Sequence, residues 1–168
     1  FNLFIETQSL HYGILSSHQA PDFKYLNKQK QWIHLSDYRG QWILLFFSST
    51  SCAFCDLEYP YLEASQREFP ELKIIQIIET STQPAGADAY ESDYKKRLAI
   101  IDAAEPQITI HQQWGIWGVP RLFLIDPDGR VITEPDGTEI YFRGKQMITD
   151  LRRFITTRSG SISVRNVK

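Results

Sequence analysis

Residues Trp42 to Phe47 (WILLFF) form an apolar run with no polar alternation. Such a run fits a strand buried on both faces in the middle of a parallel sheet, which narrows the fold to the α/β class. The run stops at a small polar stretch, Ser48 to Ser51, and Cys52 and Cys55 follow at once. Beyond them the residues suit a helix. A strand that turns directly into a helix puts Cys52 at or near the first helical turn. There, unsatisfied N–H groups and the positive end of the dipole stabilise a thiolate. Cys55, three residues on, faces the same side and lies within reach of a disulfide after a minor adjustment. That arrangement is what reversible thiol–disulfide exchange needs.

The chain has 168 residues, enough for one domain with a substantial core. Its two cysteines are too few for a disulfide-stapled scaffold, so the pair reads as chemistry. A formal charge of −2 gives no reason to expect nucleic acid or an anionic membrane as a partner. No run of about 18 apolar residues exists to span a membrane. The chain starts at Phe1 without Met, which is compatible with a signal peptide or anchor removed upstream. His11, His18, His34 and His111 are scattered without metal-ligand spacing, so neither a metal nor another cofactor is expected.

Residues 1–19 show no clean period and read as an N-terminal extension, either a linker or an added strand. Asp22 to Leu26 and Trp32 to Leu35 flank a polar turn and predict a β-hairpin. Ser36 to Gly40 reads as a capped single turn. After the cysteines one helix is expected from about Cys52 to Phe69, with Leu57, Tyr61, Leu62, Ser65 and Phe69 inward and Pro60 kinking it. Leu72 to Ile78 is a second buried strand. The loop Glu79 to Ala89 leads to a helix over Asp88 to Leu98, a short strand at Ala99 to Asp102 and a helix over Glu105 to Trp114 with Pro106 in its first turn. Arg121 to Ile125 is a third buried strand. The turn Asp126-Pro127-Asp128-Gly129 should fold it into a hairpin with Val131 to Thr133, and a second turn leads to Ile140 to Arg143. A last helix, Lys145 to Arg158, closes the domain at 20–158, and 159–168 is a polar tail.

This order of elements resembles the thioredoxin fold, and specifically the TlpA/ResA-like branch of extracytoplasmic thiol–disulfide oxidoreductases. The matching stretches are Ala20-Pro21-Asp22-Phe23, Leu35 to Gly40, Cys52 to Pro60 as CxxCxxExP, Gly118-Val119-Pro120, and Phe123 to Gly129 as FLIDPDG. The resemblance implies a central mixed sheet flanked by helices, with an N-terminal β-hairpin and an inserted helical region between the βαβ and ββα halves. It also implies that Cys52 is the exposed nucleophile and Cys55 the buried resolving thiol. Pro120 would be a cis-proline facing the pair and presenting the backbone edge at Val119 to a substrate strand; about 5–6% of X-Pro bonds are cis. Glu58 would lie beneath the cysteines and tune their proton chemistry, and Pro60 would be the helix-kinking proline.

Two positions depart from the family pattern: Ser51 replaces a tryptophan before the first cysteine, and Arg121 follows Pro120 where threonine is common. Arg121 could set a cation beside the site, and Trp117 is close enough to Pro120 in sequence to line a substrate groove. Tyr90, Tyr94 and Trp114 read as core or rim aromatics, and Arg152, Arg153 and Arg158 as a solvated face. A peroxidase would want Ser49 three residues before Cys52, but that motif's proline is absent. Ala53-Phe54 between the cysteines offers no charge or imidazole, so the reading leans towards a reductase of client proteins outside the cytoplasm, in the bacterial periplasm, such as apocytochromes awaiting haem. Its partners would be a client with cysteine thiols or a disulfide and an upstream donor, including a membrane electron donor. An oxidase, an isomerase and a non-catalytic binding module are the alternatives.

Overall fold

The computed structural model describes residues 19–27, 29–79, 98–102 and 108–159 of the chain. A short antiparallel hairpin comes first, β1 (Lys24–Leu26) and β2 (Trp32–His34), with Tyr25 opposite Ile33. A 3-10 turn, Leu35–Tyr38, leads into β3 (Ile43–Ser49). Helices α1 (Ala53–Asp56) and α2 (Tyr59–Glu68) follow, then β4 (Lys73–Glu79), β5 (Ala99–Asp102) and the single-turn helix α3 (Ile110–Gln113). The chain closes with β6 (Arg121–Ile125), a 3-10 turn at Gly144–Gln146 and α4 (Met147–Ser159).

The unbroken apolar run becomes the central strand. The main sheet has the order β5-β4-β3-β6, in which β3 pairs parallel to β4 and antiparallel to β6. Alternate residues of β3 feed two separate cores. Leu44 and Phe46 point to the face covered by α2 and α4, among Leu62, Met147, Leu151 and Ile155. Ile43, Leu45 and Phe47 point to the other face, among Phe23, Leu35 and Trp114. Because neither face meets water, no polar alternation was possible in this strand. Full burial of each such large side chain contributes on the order of 1.5–3 kcal/mol.

Several boundaries differ from those predicted from sequence. The helix after the cysteines is not continuous: it breaks at Leu57-Glu58. Leu57, expected inward, is exposed at that break. The segment Val131 to Thr133 forms only isolated bridges, Ile125 to Val131 and Thr133 to Glu139, rather than a full strand, and Ile140 to Arg143 lies outside any strand. The Asp126 turn does close as expected, with Gly129 N–H donating to Asp126 O at 2.8 Å. Of the helix predicted over Glu105 to Trp114, α3 begins only at Ile110, where Thr109 caps it: its hydroxyl accepts from Gln112 N–H while Gln112 Oε1 accepts from Thr109 N–H. Residues 1–18, all but Leu98 of the helix predicted over Asp88 to Leu98, Pro106 and the tail from 160 lie outside the described residues. Gln19 makes a bridge to Arg130 and accepts from the Arg39 guanidinium at 3.0 Å.

Candidate active site

Cys52 and Cys55 are joined by a disulfide, with their Cα atoms 5.3 Å apart. They lie where β3 leaves the sheet and α1 begins. Cys52 is the N-cap of α1, and its sulfur accepts from Cys55 N–H at 3.1 Å. Cys55 N–H also lies 3.1 Å from Cys52 O, and Cys52 N–H reaches back to Ser49 O at 3.3 Å. The two cysteines differ in access: Cys52 is half-buried and Cys55 is 2% exposed. The first residue is thus the more accessible, with a helix-start N–H on its sulfur, while the second is buried in the core. An N–H aimed at sulfur favours its anionic form.

The break after α1 explains Pro60. Glu58 is the N-cap of α2 and Pro60 its second residue, where a proline's missing N–H would have had no intrahelical partner. Pro60 therefore does not kink a long helix, as predicted; it starts a new one. Glu58 is 6% exposed, its N–H donates to Cys55 O at 3.1 Å, and its Oε2 accepts from Gly144 N–H at 2.8 Å. A carboxylate one turn beyond the buried cysteine thereby anchors the first residue of the 3-10 turn that leads into α4.

The Val119–Pro120 peptide bond is cis. The register sets Arg121 opposite Phe47, so Val119 and Pro120 carry the line of β6 to the level where β3 ends. Cys52 and Val119 both pack against the core cluster that contains Cys55. Arg121, predicted as a cation beside the site, is instead held by both oxygens of Glu139 and lies 5.5 Å over the Phe123 ring. Its charge is neutralised in place. Trp117 and Phe54 are strongly exposed, 81% and 69%. Trp114 is a core residue, packed with Phe47 and Phe123. Arg152 and Arg153 are exposed but paired, with Glu68 and Glu134 respectively.

One buried group escaped the sequence reading. His111, 2% exposed, sets Nδ1 2.6 Å from Asp102 Oδ2 and Nε2 3.1 Å from Ser48 O, the penultimate residue of β3. On the other side of β3, Gln76 Nε2 donates to Ser48 Oγ at 2.8 Å and to Tyr59 Oη at 2.6 Å. Asp102 and His111 are nine residues apart, and neither falls in a motif. Only the topology brings them together.

A family model described as the AhpC/TSA family matches residues 17–133. Thiol-disulfide oxidoreductase ResA of Bacillus thuringiensis is 31% identical over 124 residues, covering 72% of this chain and 69% of that protein. The thioredoxin domain of a Bacteroides vulgatus thiol-disulfide oxidoreductase superposes with a TM-score of 0.63 at 19% identity, covering 83% of this chain and 96% of that one. The pneumococcal exposed lipoprotein thioredoxin Etrx1 of Streptococcus pneumoniae superposes with a TM-score of 0.59 at 18% identity, over 79% and 98% of the two chains. These two structural likenesses carry the fold.

Proposed function

The chain belongs to the AhpC/TSA family, as a thioredoxin-like thiol–disulfide oxidoreductase, and from that premise we propose that it reduces disulfides of client proteins outside the cytoplasm. The observation that carries the reading is the unequal burial of the two disulfide-bonded cysteines at the end of a buried strand. In the dithiol form, Cys52 thiolate attacks a client disulfide. A mixed disulfide forms and one client thiolate leaves. Cys55 then attacks Cys52 sulfur, the second client thiolate leaves, and the protein is left as the Cys52–Cys55 disulfide. Two electrons pass to the client, and a separate donor must return them before the next cycle.

The reducing direction rests on what surrounds the sulfurs. Ala53 and Phe54 supply no cation, and Arg121 is neutralised by Glu139. With neither the intervening dipeptide nor Arg121 adding a cation to the helix-start N–H, the Cys52 thiolate is only modestly stabilised, so the disulfide is favoured and the dithiol is a good reductant. Pro120 and Val119 are proposed to face the client strand, with Trp117 at its rim and Glu58 handling protons near Cys55. Among the described residues no helix is long and apolar enough to cross a membrane. An extracytoplasmic place, and clients such as apocytochromes, are part of the proposal and rest on the family resemblance.

Trapping with Cys55→Ala tests it, because the mixed disulfide on Cys52 then accumulates and its client can be read by mass spectrometry. A reduction potential more positive than about −150 mV, towards the oxidants of the superfamily, overturns the reductase direction. Equal rates of insulin disulfide reduction by the wild type and Cys52→Ala would leave only a binding module.

A further inference from the structure

Asp102 ends β5 and accepts two backbone hydrogen bonds, from Ile110 N–H at 2.7 Å and from His111 N–H at 2.7 Å, and its Oδ2 lies 2.6 Å from His111 Nδ1. The protons of the pair can be counted from its partners. A carbonyl oxygen only accepts, so His111 Nε2 must carry the proton that meets Ser48 O. A second proton must lie between Nδ1 and Oδ2, or two acceptors would face each other at 2.6 Å. The ring also packs edge-on to Phe47, with centroids 5.0 Å apart. Both nitrogens and one edge of His111 are therefore fixed, and the group it fixes in turn is the Ser48 carbonyl.

That carbonyl is a sensitive place to hold. Ser49 follows it, and Ser49 O accepts the N–H of Cys52. Gln76 grips Ser48 Oγ, so the end of β3 is held from two sides before the redox turn begins. Stability alone does not account for the pair, since apolar residues of similar volume usually stabilise a core as well as a buried Asp–His pair does. Geometry is what the pair adds.

We propose that His111, oriented by Asp102, is a positioning residue for thiol–disulfide exchange: it fixes the exit of β3 so that Cys52 is already placed against Cys55. The inference rests on the oxidoreductase reading and assigns that site a support on the sheet face opposite Glu58. Placing reacting groups in advance raises their effective concentration, because the turn need not be ordered during the reaction. Loosening the turn should therefore weaken the internal disulfide relative to an intermolecular one.

The test is equilibrium with glutathione, in which protein dithiol and oxidised glutathione give protein disulfide and two molecules of reduced glutathione. His111→Phe keeps an aromatic ring against Phe47 and removes both ring nitrogens, including the Nε2 donor to Ser48 O. It should lower the equilibrium constant for disulfide formation about tenfold, equivalent to about 30 mV for a two-electron couple. His111→Gln retains an N–H donor and should recover most of that loss, and Asp102→Asn should give a smaller fall in the same direction. A His111→Phe constant within about twofold of wild type overturns the proposal, even if thermal stability drops. So does an equal fall in His111→Gln. If His111→Phe does not fold, the other two variants decide, together with nuclear magnetic resonance of the wild type. The Nε2 proton of His111 should exchange slowly in both the oxidised and reduced protein, and its absence from either state refutes the anchor. A wild type that fails to exchange with glutathione at all refutes the oxidoreductase reading, while the Nε2 proton still judges the anchor.

Discussion

Glu58 joins the two halves of the domain, and removing it has a cost that can be worked from its surroundings. Its Oε2 accepts the N–H of Gly144, 86 residues away, at the start of the turn into α4. Glu58→Ala leaves that N–H without its acceptor, at about 1–3 kcal/mol for a buried donor. Gly144 is only half-buried, so water can approach and the low end, about 1 kcal/mol, applies. The substitution also removes one buried methylene, at about 0.8 kcal/mol. The sum is about 2 kcal/mol. Glu58→Gln keeps the methylenes and an acceptor, losing only the charge-assisted part, about 1 kcal/mol. In a chain of 168 residues each kcal/mol shifts Tm by about 2–4 °C. Calorimetry of the oxidised protein should therefore show Glu58→Ala lowered by about 4–8 °C and Glu58→Gln by about 2–4 °C. Hydrogen exchange at the Gly144 amide should accelerate in the alanine variant alone. Equal losses in the two variants, or a loss under about 1 kcal/mol in Glu58→Ala, would mean the carboxylate does not hold α4.

Pro60→Ala separates a helix start from a kink: at the second position of α2 it should change stability by less than about 1 kcal/mol in urea unfolding, whereas relieving a helix-interior proline would stabilise by about 3 kcal/mol. Gly129 has φ +80°, and an added Cβ would fall 1.3 Å from Arg39 Nη1. Gly129→Ala should thus cost about 1–2 kcal/mol of backbone strain plus displacement of Arg39 from Gln19, and a double-mutant cycle with Arg39→Ala should recover the second part. Burial holds the Tyr25 phenol far above its ordinary range, and its bond to Tyr38 Oη, 2.7 Å long, adds to the rise. A folded-state value raised above the unfolded one gives a contribution complete below about pH 10 and lost as pH climbs further, so Tyr25→Phe should flatten the alkaline fall in unfolding free energy.

The strand, the cysteine pair and the turn at Asp126 were legible because each is governed by residues adjacent in sequence. An apolar run without alternation requires cover on both faces, and that cover is found. The break in the cysteine helix was local too, but its signal was misread. A proline eight residues after Cys52 can lie inside one helix or begin a second, and the choice falls to Glu58. Its carboxylate turns away to Gly144, which no local pattern announces. Arg121 reads as a free cation until Glu139, eighteen residues on, is folded against it. His111 was the least legible, because its partners lie on two separate strands, β5 and β3, and its proposed role depends on a backbone carbonyl, which carries no identity in the sequence. The cysteine pair can therefore be read from the chain, while the groups that hold the end of β3 beside it can be read only from the fold. It follows that substitutions at Asp102 or Gln76, outside every motif, should alter exchange at Cys52 more than substitutions at the exposed Asp56 beside Cys55.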